Sequence, residues 1–228
     1  MQDRPTSFPT TQPDGEPLKP LTRVMLERRA TAHFTDEEVP EEYLNAILAL
    51  GCQAPSGYNL QPWRFIVVRE ASNRRRLQQV AFNQAKVTEA PVVIIALGMK
   101  EEWKERAGEV FREGARETED WQRARDRAVK AVSGVPAGTW VNRHTMIALT
   151  TMMLVAEAYG FDTAPMEGFD AAGVRAAFDV PEEAEVCALL AIGRAAPPDK
   201  PYLGRFELDR LVYHERYKNS PKSEGPAA

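Results

Sequence analysis

Apolar residues fall into two kinds of run along this chain. Some are continuous: FIVV at 65–68, PVVIIALG at 91–98 and VCALLAIG at 186–193 have no polar break. Such β-branched and aliphatic runs predict strands covered on both faces. Others step by three and four. In TDEEVPEEYLNAILALGCQ, Leu44, Ile47 and Leu48 share one face of a predicted helix that has Asp36, Glu37, Glu38 and Pro40 toward its start and ends near Gly51. LTRVMLERRA predicts an earlier helix, followed by an irregular passage at Thr31 to Phe34. From Lys100 to Val132 the chain is densely charged, yet Trp103, Ala107, Val110, Phe111, Gly114, Trp121, Ala124 and Ala128 recur at helical steps. That pattern predicts an amphipathic excursion, 100–132. Its plainer reading is a solvated helical insert with opposite charges at favourable spacing; the sharper one is a lid with Trp103 or Trp121 facing a substrate. Thr139 to Tyr159 is apolar nearly all round in its second half, so that helix is buried, in the core or along the seam of a dimer, and Gly160 ends it.

These elements divide the chain. Residues 1–20 hold five prolines and only Met1, Phe8 and Leu18 as large apolar side chains, too few to offset the entropy of ordering; the expectation is a disordered or extended tail. Residues 21–215 form one domain and 216–228 a C-terminal tail. Helical patterns lie between the strand runs, which predicts an α+β or α/β sandwich around one central sheet.

Composition narrows the function classes. Hydrophobic residues at 43% and charged residues at 27% are those of a globular domain. A net charge of -4 argues against a nucleic-acid partner, which requires a basic surface. No secretory leader is evident, and the longest uncharged apolar run, Met146 to Ala156, is too short for a membrane span. A cytoplasmic protein with no membrane partner is expected. Cys52 and Cys187 are far apart and in no metal-binding spacing, so both read as small buried hydrophobes. There is no G-x-G-x-x-G, no G-x-x-x-x-G-K-[ST] and no G-x-S-x-G around Ser56, which removes the dinucleotide-binding Rossmann domain, the P-loop and the hydrolase elbow. His33, His144 and His214 are scattered without ligand spacing; no metal is expected.

What stands out is a connection richer than a connection needs to be. APSGYNLQPWRF, Ala54 to Phe65, places two prolines, a glycine and several polar side chains between a predicted helix and a predicted strand. Together with RRATAHF (Arg28 to Phe34), FNQAK (Phe82 to Lys86), APMEGFD (Ala164 to Asp170) and GRFELDRLV (Gly204 to Val212), it resembles in order and spacing the nitroreductase family of flavin enzymes. The resemblance covers about Arg23 to His214. It implies an α+β fold, a three-layer sandwich with a central mixed sheet flanked by helices, assembled as a homodimer that shares FMN across its interface.

Roles follow from the resemblance, and side-chain chemistry agrees with them. Arg28, Arg29 and Arg205 would hold the FMN phosphate, since a guanidinium forks onto phosphate oxygens and keeps its charge. Pro55 and Gly57 would shape a turn from which Ser56 and Asn59 address the flavin, with Gln61 and Trp63 bracing the strand that follows. A simpler alternative has Ser56 and Asn59 bonding only to nearby backbone. Lys86 matches the position that favours the reduced flavin by placing a cation near its N1 and C2 carbonyl. Asn83, taken to lie on the same helical face as Lys86, would meet the pyrimidine edge. Pro165, Met166, Glu167 and Gly168 would present main chain to the flavin, Glu167 and Gly168 through N–H groups toward N5 and O4; Gly168 suits close approach because it has no Cβ. No side chain acts as an acid–base catalyst; the flavin carries the reaction, and Lys86, Glu167 and Gly168 support it.

Three positions depart from the family pattern. Ala30 replaces a common phosphate-binding Ser, Ala32 a common basic residue, and Leu203 an occasional Lys, which thins the phosphate site. The implied activity is hydride transfer from NADH or NADPH through flavin N5 to a small-molecule acceptor such as a nitroaromatic or quinone, by a ping-pong scheme. Alternatives are dehalogenation or flavin fragmentation on the same fold, or a non-catalytic flavin-binding protein. His144 is placed either on the substrate side or as a buried structural residue.

Overall fold

The continuous apolar runs pair with one another at the centre of the molecule. The computed structural model describes residues 7–115, 119–198 and 201–217, apart from the side chains of 105, 106 and 111–121. Four strands, β1 (Trp63–Val68), β2 (Val92–Met99), β3 (Asp162–Met166) and β4 (Ala184–Gly193), form a sheet in the order β1-β2-β4-β3. All three pairings are antiparallel, with Val67 opposite Ile94, Ile94 opposite Leu190 and Leu190 opposite Pro165. The expectation of a mixed sheet is therefore corrected. Unbroken apolar strands are commonest in parallel sheets, but the cause is cover on both faces, and here helices cover both faces of an antiparallel sheet. The strand β3 has no counterpart among the sequence expectations, because Pro165 sits inside it; an edge strand tolerates a residue that cannot donate a ladder hydrogen bond.

The strand period of two sorts β2 into two cores. Val93, Ile95 and Leu97 face one cluster with Leu77, Val87, Val174 and Leu189, supplied by α3 (Ala71–Val80), α4 (Lys86–Glu89), α8 (Ala171–Phe178) and β4. Val92, Ile94 and Ala96 face the other, with Leu44, Ile47, Leu149 and Met152, from α2 (Glu41–Gly51) and α7 (Ala137–Ala158). The three layers implied by the resemblance are present. Each fully buried Ile or Leu stabilises this arrangement by about 2 kcal/mol. Strand β1 is less covered than its apolar run suggests, since it lies at an edge and Val67 reaches solvent.

The long helix α7 is buried as its all-round apolar character requires, and it packs closely on α2: a Cβ at Gly51 would lie 2.1 Å from Met152 Cγ. Its end is set by Gly160, at φ +78°. The charged excursion forms α5 (Glu102–Ala115) and α6 (Glu119–Ser133). Trp103, one of the two tryptophans considered for a lid, packs inward. It is buried with Leu60, Val132, Trp140 and Val141, its ring 5.2 Å from that of Trp140, and its Nε1 donates to Lys100 O at 2.8 Å. The side chain of Trp121 lies outside the described residues.

Ahead of α1 (Leu21–Glu27), residues 7–20, expected as part of a tail, run along the C-terminal end of α7. Phe8 and Leu18 pack on the second core, Tyr159 OH donates to Pro9 O at 3.2 Å, and Lys19 Nζ lies 2.5 Å from the buried carboxylate of Glu157. The sparse apolar content of this segment is thus supplemented by one ion pair and backbone contacts. No helix among the described residues is long and apolar enough to cross a membrane.

Candidate functional site

The candidate residues gather into two groups at opposite edges of the sheet. The first begins where α1 ends. Arg28 to Ala32 run beside β3, with Ala30 bridged to Thr163 and Thr31 N donating to Thr163 O at 3.1 Å. Thr31 is buried against β3, while Arg29 and Ala30 are exposed. Two residues on, His33 Nδ1 lies 3.1 Å from the Glu89 carboxylate, and Phe34 N donates to that carboxylate at 3.3 Å. Glu89 ends the short helix that Lys86 begins. One carboxylate thus ties the arginine segment to the lysine.

The loop before that helix carries local strain. Phe82 and Asn83 stand at φ +52° and +55°, in the left-handed region that non-glycine residues rarely occupy. The proposed common helical face of Asn83 and Lys86 is corrected: Asn83 precedes the helix and is left-handed, so its direction is set by the turn. Gln84 Nε2 reaches across to donate to Gly168 O at 2.8 Å, and Asp170 N donates to Val80 O at 2.7 Å, which joins the FNQAK loop to the APMEGFD loop. Asp170 also caps α8 through Ala172 N. The side chain of Met166 is packed in the core, leaving only its main chain for the surface; Pro165 is half-buried, and Glu167 and Gly168 are exposed. A Cβ at Gly168 would meet its nearest neighbours at an ordinary 3.7 Å, so nothing in the chain's own packing demands a glycine there.

Arg205 joins this group from the other end of the chain. Its guanidinium carbon lies 5.5 Å from the centroid of the Tyr202 ring, and that of Arg29 lies 5.8 Å from the same centroid. Among the described residues neither Arg28, Arg29 nor Arg205 has an ion-pair partner. Guanidiniums without a carboxylate partner among the described residues form a donor set suited to a phosphate monoester.

The second group is the loop before β1. Gly57–Asn59 form a 3₁₀ turn, and Tyr58, Asn59 and Gln61 stand at φ +53°, +56° and +45°. Ser56 Oγ accepts from Gln61 N at 2.9 Å, and Gln61 Nε2 donates to Asn59 O at 3.1 Å. These are the local bonds of the simpler alternative, and they hold the turn; the Ser56 hydroxyl proton and the exposed Asn59 amide are not used by them. Pro55, Tyr58 and Asn59 are exposed, while Leu60 and Trp63 anchor the loop in the core. Beneath Gly57 lie Trp140 and His144 of α7, whose rings are 4.6 Å apart. His144 Nδ1 is buried with no partner among the described residues, and burial, followed by the charge of Arg143, holds this imidazole below its usual pKa. Burial also raises both thiols, Cys187 to about 11, so neither is a nucleophile at neutral pH.

Within one chain the two groups do not meet. The strands β1 and β3 are the two edges, three strand spacings apart, or about 14 Å at ~4.8 Å each. Both loops leave the sheet toward the same end, because β1 and β3 run in opposite senses and one loop precedes its strand while the other follows. An open cleft of about 420 Å³ along the outer edge of β1 is lined by residues such as Leu44, Ile66 and Phe178, and by none of the candidates. Sequence reasoning missed Phe82, Gln84, Glu89 and Tyr202. Gln84 and Phe82 stood inside a quoted motif, but nothing local marks a residue for a left-handed φ or for a bond 84 positions away.

Comparison with known proteins follows from this geometry. The model of the nitroreductase family matches residues 25–194. A protein of Thermus thermophilus named NADH dehydrogenase is 36% identical over 198 residues, covering 86% of this chain and 96% of the relative. The oxygen-insensitive NAD(P)H nitroreductase of Salmonella typhimurium is 27% identical, covering 72% and 82%. Among solved structures, a protein from Exiguobacterium sibiricum in complex with FMN superposes with TM-score 0.73 at 26% identity, over 86% of this chain and 97% of that one. The Bacillus subtilis protein ydfN gives TM-score 0.80 at 25% identity, over 85% and 97%.

Proposed function

Because the chain belongs to the nitroreductase family, we propose that it is an FMN-dependent oxidoreductase that works as a homodimer. Bound FMN would supply two-electron chemistry, accepting hydride at N5 from NADH or NADPH and passing it to a nitroaromatic, quinone or similar electron-poor acceptor in alternating half-reactions. The observation that supports the reading is the convergence of Arg29 and Arg205, from distant parts of the chain, on the Tyr202 ring, with neither guanidinium paired to a carboxylate among the described residues. A relative solved with FMN lends its cofactor to the proposal.

In this reading the chain's own residues bind and orient. Arg28, Arg29 and Arg205 take the phosphate. Lys86 holds positive charge where reduction places negative charge, which favours the reduced state. The main-chain N–H groups of Glu167 and Gly168 face the redox-active edge of the ring, and the absence of a Cβ at Gly168, unexplained by internal packing, leaves room for it. Asn83 serves the pyrimidine edge. The Pro55–Gln61 loop lies too far from this group to serve the same ring system within one chain. Two copies arranged so that the β1 loop of one meets the β3 edge of the other complete the site, and this supports the homodimer.

The test is anaerobic addition of NADH and of NADPH to the flavin-loaded protein. Bleaching of the flavin followed by recolouring with a quinone is the expected result. A yellow protein that neither reductant bleaches overturns the redox assignment and leaves a flavin-binding role.

A further inference from the structure

We propose that Tyr202 is a positioning residue that gathers Arg29 and Arg205 into a two-pronged clamp for a phosphate monoester; this rests on the FMN reading above. Two guanidiniums that always carry charge are drawn to one aromatic ring, at 5.8 and 5.5 Å from its centroid, so their separation cannot exceed the sum of those distances. Like charges in proximity cost energy, and among the described residues no carboxylate compensates either one. The negative face of the Tyr202 ring offsets part of that cost. A dianionic phosphate offsets the remainder, and it is the charge the cluster lacks.

The two arginines come from distant parts of the chain. Arg29 follows α1, whereas Tyr202 and Arg205 belong to the segment after β4. The ring is therefore the contact through which a residue near the start of the domain is aligned with one near its end. Its neighbour Leu203 is 93% exposed and cannot take that place. Arg205 is steadied further by its Nη1 donating to Gly204 O at 2.8 Å. With Ala30 and Ala32 contributing no side-chain donor, alignment of two guanidiniums matters more here than in a site with a hydroxyl and an ammonium to spare.

The test compares FMN with riboflavin, which lacks the phosphate, by fluorescence titration of wild type, Tyr202→Leu and Tyr202→Phe. Tyr202→Leu is expected to weaken FMN by about tenfold, the range two exposed cation–π contacts supply, and to leave riboflavin unchanged. Tyr202→Phe keeps the ring and the FMN affinity. In an Arg29→Gln/Arg205→Gln background, Tyr202→Leu has no further effect, as expected for a residue that acts through the arginines. An FMN-to-riboflavin affinity ratio left unchanged by Tyr202→Leu, whether because neither flavin weakens or because both weaken equally, overturns the inference and leaves the FMN reading intact. A wild-type protein that binds FMN no tighter than riboflavin overturns both.

Discussion

Strand β2 and the segment 201–212 each carry six large apolar side chains, and these meet opposite fates. In β2, Val92 to Ala96 are wholly buried, three facing one core and two the other. In the segment, Tyr202, Leu203, Phe206, Leu208, Leu211 and Val212 are all exposed, Leu208 by 74%. The strand finds cover inside its own chain because helices lie on both sides of it. Among the described residues, the large apolar side chains of the segment lie on the surface and are left exposed. A run of exposed large side chains marks an interaction surface, and Arg205 lies within it. The closed part of the molecule accounts for stability, and the open part holds Arg205, which the proposed function assigns to the phosphate.

That contrast predicts different consequences for changes in the two regions. Ile95→Ala removes a fully buried side chain at the centre of β2 and is expected to cost about 2–5 kcal/mol in urea denaturation; a loss below about 0.5 kcal/mol would mean that the sheet is not the folding core. Leu203→Ser combined with Leu208→Ser alters only exposed positions, so the unfolding free energy of the chain should change by no more than about 0.5 kcal/mol. Sedimentation should nevertheless shift toward the monomer and FMN binding should fall, because the β1 loop then has no partner site. A double variant that stays dimeric and flavin-loaded would place the seam elsewhere.

The smallest effect concerns the boundary between the regions, at His144 under the Gly57 turn. Its folded pKa is lowered, so the folded state resists protonation; the stability this contributes is present above about 6.5, the unfolded value, and is lost as pH falls through that value toward the folded one. Thermal midpoints measured from about pH 7.5 to 5.5 should fall less steeply in His144→Gln than in wild type. Equal slopes would show that the buried Nδ1 is readily solvated.

Legibility along the chain followed the range of the interactions involved. The strands β2 and β4 and the helix α7 could be read because cover on every side leaves nearly unbroken apolar runs, and the helix α2 because burial of one face imposes a period of 3.6. The strand β3 could not, since Pro165 interrupts its pattern and its place depends on β4. The arginines, Lys86 and the two loops were recognisable through motifs that resemble a family. The cover over Trp103 could not be read, because a helical face shows which side is apolar and not which neighbour packs on it; in the fold Trp140 does.

The order of residues thus settled the local quantities: which segments bury a face, where helices stop, and which polar side chains are concentrated in turns. Contacts between distant segments were settled by packing. The antiparallel order of the sheet, the separation of the two loops to opposite edges, the left-handed Phe82–Asn83 and Tyr58–Asn59 pairs, and the meeting of Arg29 with Arg205 over Tyr202 all depend on how whole layers stack. Periodicity constrains a residue relative to its neighbours a few positions away, while these arrangements join residues separated by most of the chain, where no local pattern reaches.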